Sequence, residues 1–149
     1  MNRKLLFSGL FLLGGLFMNA QEVEIKDEKV LFDGKQVLKY EKTNSFIHTL
    51  FSLDDNELLL YKFNNNETRE YLDDDYLVLN FIPFKKKVET TNKSQAISGM
   101  GLNSRKNMQK LITWLLKEKV LNANGEINPE RLDIFYEKYN ENITERTVR

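Results

Sequence analysis

The chain of 149 residues contains no cysteine. That absence removes disulfides, thiolate metal sites and cysteine nucleophiles together, and any lipid anchored on a cysteine. Imidazole chemistry rests on one residue, His48, because the sequence holds a single histidine. Neither charge sign dominates: 22 Lys plus Arg stand against 22 Asp plus Glu. Such a balance gives no electrostatic case for nucleic acid or an anionic membrane. The uncharged apolar run Leu5 to Phe17 falls short of the roughly 20 residues that span a bilayer. No G-x-S-x-G nucleophile setting is present. No G-K-[ST] follows the Gly99-Met100-Gly101 segment, and no third glycine completes a dinucleotide fingerprint there.

The N-terminus is built as an export signal. Arg3 and Lys4 precede the apolar run, and Met18-Asn19-Ala20 follows it before a charged stretch begins at Gln21. This three-part order is that of a secretory signal peptide, expected over residues 1–20 with cleavage near Ala20. Losing Arg3 and Lys4 leaves 20 basic and 22 acidic residues, a charge of −2 on the remaining chain. That chain is expected in the periplasm or secreted, with no stable membrane insertion after cleavage. It is long enough to be held by one hydrophobic core without disulfides.

Residues 21–92 read as an antiparallel sheet region. Val23 and Ile25 alternate with charged neighbours. Asp33-Gly34 between KVLF and KQVLKY is a two-residue hairpin signal, since both central positions need positive φ. The register it implies sets Val30 opposite Val37, with Leu31, Leu38 and Tyr40 on the other face. Phe46–Leu53 and Glu57–Phe63 flank the turn Asp54-Asp55-Asn56. Asn64-Asn65-Asn66 and Asp73-Asp74-Asp75 are further turns around Glu67–Leu72, a short charged segment suited to a sheet edge. Tyr76–Ile82 is strongly strand-like, and Pro83 interrupts its pairing. Several strands carry apolar residues on both faces, so a second face needs cover.

Residues 93–103 form a linker, and 104–139 a two-helix hairpin. Met108, Leu111, Ile112, Leu115, Leu116 and Val120 fall at helical spacing, predicting a helix over Ser104–Leu121 capped by Asn103 or Ser104, with Trp114 at the margin of the stripe. Asn128-Pro129 starts a second helix that places Leu132, Phe135, Tyr136 and Tyr139 on one face. Residues 140–149 are a polar tail. The fold class is therefore α+β: an antiparallel meander of about five to seven strands, then two C-terminal helices packed on one face.

Each residue group that suggests chemistry has a plainer reading. The turn around Gly125 and Ile127 has calcium-loop spacing, but Val120 and Arg131 stand where the carboxylates belong. Asp54-Asp55 and Asp73–Asp75 suit a hard cation only if their loops meet; aspartates in turns otherwise stay in water. His48 has no positioned nucleophile beside it. Lys85-Lys86-Lys87 suits an acidic partner, or an edge strand that resists aggregation. No catalytic, cofactor or metal residue is assigned. The sequence points to an exported, non-catalytic binding or interaction module whose partner it does not identify, another envelope or secreted protein being the candidate. The alternatives are a small secreted hydrolase-type enzyme and an inhibitory partner of another secreted protein.

Overall fold

A computed structural model describes residues 21–64, 75–92, 94, 96 and 104–144. The expected export signal at residues 1–20, the Glu67–Leu72 segment and the expected Gly99-Met100-Gly101 linker lie outside these residues. Seven strands follow one another in the sheet in chain order. They are β1 Val23–Lys26, β2 Lys29–Phe32, β3 Lys35–Lys42, β4 Ile47–Phe51, β5 Glu57–Asn64, β6 Tyr76–Phe81 and β7 Lys86–Thr90, followed by helices α1 Ser104–Lys117 and α2 Pro129–Tyr139. Every neighbouring pair is antiparallel. The chain is thus an α+β meander closed by two C-terminal helices.

The Asp33-Gly34 turn has positive φ at both residues, 50° and 83°, as a two-residue hairpin requires. The register beyond it differs from the simple count. Leu31 pairs with Gln36, but Val30 pairs with Leu38, and Val37 is left as an extra residue. This β-bulge shifts the strand by one residue and reverses its facing. Leu38 and Tyr40 therefore join Val30 on the buried face, where the unbulged register puts them on the opposite one. A second irregularity at Leu50/Phe51 leaves Leu58 outside the one-to-one pairing of β4 with β5.

Ile25, Val30, Leu38, Tyr40, Leu50, Leu59, Tyr61, Leu77, Leu79, Phe81 and Val88 pack in one core with residues of both helices. The opposite face carries Ile47, Leu60 and Val78, half-buried, among Glu41, Lys62 and Lys87. It is a mixed surface and not a second core. Pro83 sits in a 3-10 turn, Ile82–Phe84, between β6 and β7, where its missing N–H costs no ladder bond. Lys85 follows in the left-handed region at φ 50°.

Helix α1 packs beside β1 and α2 beside β7, so the helices cover the two ends of the meander. α1 ends at Lys117, short of the Leu121 that the apolar stripe suggests. Lys119 takes φ 61°, its N–H bonds the Leu116 carbonyl, and the Val120 N–H reaches back to Leu115. This is a Schellman stop, and Val120 remains buried because an apolar residue at that position folds back on the last turn. Trp114 does not lie at a margin. It is 3% exposed and meets Phe135 and Tyr139 of α2 at centroid distances of 4.9 and 4.8 Å. The stripe that faces the sheet and the Trp114 side that faces α2 together bury most of α1.

Asn128 caps α2 by accepting from the N–H groups of Glu130 and Arg131 at 3.0 and 3.2 Å. Ser104 does not act as the corresponding cap of α1. Its hydroxyl is buried and has no hydrogen-bond partner among the described residues. Asn103, the other predicted cap, lies outside the described residues.

The polar segment after α2 is held at its start. The Glu141 N–H bonds the Glu89 carbonyl at 2.8 Å, and Asn140 Oδ1 accepts from the Glu89 N–H at 3.0 Å. The Glu141 carboxylate accepts from the N–H and hydroxyl of Thr91. The N–H and hydroxyl of Thr144 then donate to the Glu89 carboxylate at 2.9 and 2.5 Å. Because Glu89 shares a row with Val78 and Lys62 on the mixed face, the chain passes from the core face, around the edge of β7, to the other side.

Candidate functional site

His48 is fixed deep in the core by its neighbours. Tyr61 stands opposite it on β5 with ring centroids 5.4 Å apart, and Tyr40 of β3 stacks at 5.7 Å. His48 Nε2 lies 3.3 Å from the Ser45 carbonyl, which only accepts, so Nε2 carries the hydrogen. Nδ1 is then free to accept the Tyr40 hydroxyl at 2.8 Å. Burial, with a smaller contribution from Lys42, holds the imidazole below its ordinary pKa of 6.5, against the opposing Ser45 hydrogen bond. Burial likewise pushes the Tyr61 hydroxyl up to about 12, with Tyr40 adding to the shift. His48 is 1% exposed, and both its ring nitrogens are committed. The hydroxyl on it is that of Tyr40, which is buried as well. Its arrangement is that of a satisfied buried polar group.

Asp54-Asp55 and Asp75 do not converge. Asp54-Asp55 precedes Glu57 at one end of β5, whereas Asp75 precedes Tyr76, which pairs with Asn64 at the other end. An eight-residue strand separates them, roughly 23 Å at about 3.3 Å per residue. Asp55 is instead engaged by Lys39 at 2.7 Å. Asp73 and Asp74 lie outside the described residues. Among the described residues no group of three or more potential metal ligands comes together.

The turn between the helices is closed by its own side chains. Asn122 Oδ1 accepts from the N–H groups of Asn124 and Glu126 at 2.9 and 3.0 Å, and Leu121 forms a bridge to Ile127. Asn122, in the third position of a hypothetical calcium loop, thus spends its oxygen on backbone. Val120, in the first position, is fully buried.

The lysine run, by contrast, lies on a real indentation. A cleft of about 290 Å³ is lined by Lys85, Lys86, Lys87 and Glu89, by Tyr136 of α2, and by Asn142 and Thr144 of the segment beyond it. This is near the lower end of the roughly 300–1,000 Å³ typical of ligand pockets. Lys86 pairs with Asp133 and lies 5.0 Å over the Tyr136 ring. Lys87 reaches Glu89 at 3.4 Å. Burial pushes the Glu89 carboxyl up, but the Thr144 hydroxyl and N–H and the Lys87 ammonium outweigh it, so the group sits below its ordinary value. Lys85 makes no ion pair among the described residues. The lining carries three lysines and one carboxylate, Glu89, and Asp133 beyond it pairs with Lys86.

The lysine run is visible in the sequence; the other walls are not. Tyr136 reads as core by its helical spacing, and nothing in a polar tail announces that Asn142 and Thr144 will meet β7 fifty residues earlier.

No protein-family model matches the chain, and neither the curated proteins nor the solved structures contain a significant match. Among the described residues, no helix is long and apolar enough to cross a membrane.

Proposed function

We propose that this chain is an exported, non-catalytic binding module and that the cleft between β7, α2 and Asn140–Thr144 is its binding surface. The observation that carries the reading is the convergence of Lys85, Lys86 and Lys87 on a cleft whose lining holds one carboxylate, Glu89, while the single histidine is buried in the core. A cleft that supplies cations, an aromatic ring and an amide, but no base beside a nucleophile, suits recognition better than bond breaking. The order Arg3-Lys4, apolar run, Ala20 supports export of the module, which places its partner among other envelope or secreted proteins.

Site-specific photocrosslinking tests the surface. A crosslinker at Lys87 captures a defined co-exported protein, the product disappears when Lys85→Glu is added, and the same crosslinker at Lys29 gives none. Equal capture from both positions, or a turnover activity that His48→Phe abolishes, overturns the reading. N-terminal sequencing of the mature protein finds Gln21; a start at Met1 overturns export.

A further inference from the structure

The edge of β7 explains what kind of ligand the cleft suits. In an antiparallel ladder the N–H and C=O of alternate residues point away from the neighbouring strand. Glu89 directs both groups outward, to Asn140 and Glu141, and Thr91 directs its N–H to the Glu141 carboxylate. Lys87 lies two residues before Glu89 and opposite Asn80, so its N–H and C=O point the same way. Among the described residues, the chain's own tail therefore occupies only the C-terminal half of this edge. The N-terminal half, at Lys87, opens into the lysine-lined cleft.

We infer that the cleft binds a short, extended, acidic peptide segment as an added strand on the edge of β7. The inference rests on the cleft being the binding surface proposed above. The backbone of such a segment would pair along Lys87, beside the single backbone bond that Glu141 makes to Glu89. One acidic side chain would meet Lys85, whose ammonium is not engaged by a described carboxylate. The tail itself supplies the precedent, because Glu141 binds this edge through a backbone N–H and a carboxylate together.

The test uses the mature chain, uniformly labelled with nitrogen-15, and the peptide acetyl-Glu-Val-Glu-Val-Glu-amide. The expected result is saturable shifts centred on the amides of residues 85–87, with hydrogen exchange at the Lys87 amide slowed at least tenfold. The same peptide with N-methylated backbone binds at least tenfold more weakly, and so does the parent peptide to Lys85→Glu, whose melting curve confirms folding. Equal binding by the N-methylated peptide overturns strand addition. Equal binding by acetyl-Lys-Val-Lys-Val-Lys-amide overturns the charge selection. Inorganic phosphate or glucuronate shifting these amides while the acidic peptide does not overturns this inference and leaves the cleft as a binding surface. If none of these probes shifts residues 85–87 but crosslinking from Lys87 still captures a partner, the peptide mode fails alone.

Discussion

Gly125, in the turn between the helices, rests against Val37, the extra residue of the β3 bulge. A Cβ on Gly125 would stand 3.0 Å from the Val37 carbonyl oxygen and 3.1 Å from the Leu38 side chain. The backbone adds its own demand, with φ at 76°. Two departures from regular structure, one in a strand and one in an inter-helix turn, are thus fitted to each other.

Gly125→Ala should destabilise more than Gly34→Ala. Both positions have positive φ, which costs a side chain about 1–2 kcal/mol. Only Gly125 also meets a backbone oxygen, whereas the space around Gly34 is open. The expected losses are about 1 kcal/mol at Gly34 and about 2–4 kcal/mol at Gly125, the excess being steric strain of the kind overpacking produces. Urea denaturation of the two variants gives the order, and equal losses would contradict the contact.

The buried imidazole predicts a pH dependence with a definite sign. Burial, aided by Lys42 and opposed by the Ser45 hydrogen bond, lowers the His48 pKa in the folded chain. The unfolded chain therefore binds the extra proton first, and stability falls with falling pH once below 6.5. Glu89 and Glu118 also have lowered values, so their contribution is present above about 4.5 and lost below it. The decline between pH 6.5 and 4.5 belongs to His48. Denaturation midpoints measured across that range should flatten in Tyr40→Phe/His48→Phe. A wild-type midpoint that is constant there would refute the assignment.

Ser104→Ala should leave stability unchanged or raise it by up to about 1 kcal/mol. A buried hydroxyl without a partner carries a desolvation penalty that alanine lacks. Were Ser104 the α1 cap, the same substitution would cost about 1 kcal/mol. Asn128→Ala, at the real cap of α2, supplies the comparison and should show that loss.

Thr144→Val should loosen the segment beyond α2 without unfolding the domain. It removes one hydroxyl bond to Glu89, worth about 1.5–3 kcal/mol to a charged acceptor, while keeping the volume. Hydrogen exchange at the Glu141 amide, which bonds the Glu89 carbonyl, should accelerate, whereas amides of β5 and β6 keep their protection. Acceleration spread evenly over the sheet would show that the segment does not open as a separate unit.

The strands, the Asp33-Gly34 turn and both helices were legible because each depends on residues close in sequence. Alternation, turn chemistry and helical spacing are local signals. The bulge at Val37 was not legible, because the adjacent apolar pair Val37-Leu38 fits a regular strand with apolar residues on both faces equally well. What selects the bulged register is burial of Leu38 and Tyr40 beside Val30, a tertiary effect. The same limit made the strands look two-sided, and it misplaced Trp114, whose cover comes from Phe135 and Tyr139 on the next helix. The cleft was half legible: its lysines form a run, but its other wall is assembled by a chain reversal around β7. Asp55 and Asp75 lie apart for a topological reason, since consecutive turns of a meander alternate between opposite ends of the sheet.

The chain-order arrangement of the strands also sets the timetable of assembly. Every sheet contact joins neighbours in sequence, so each hairpin can form as soon as its second strand is available, which favours rapid pairing. The core cannot close at that pace. β1, the first strand, receives its cover from α1, which lies some seventy-eight residues later in the chain. A chain emerging from its N-terminus would carry an assembled but uncovered apolar sheet until Ser104–Lys117 followed, and this interval is when it most needs protection from other chains.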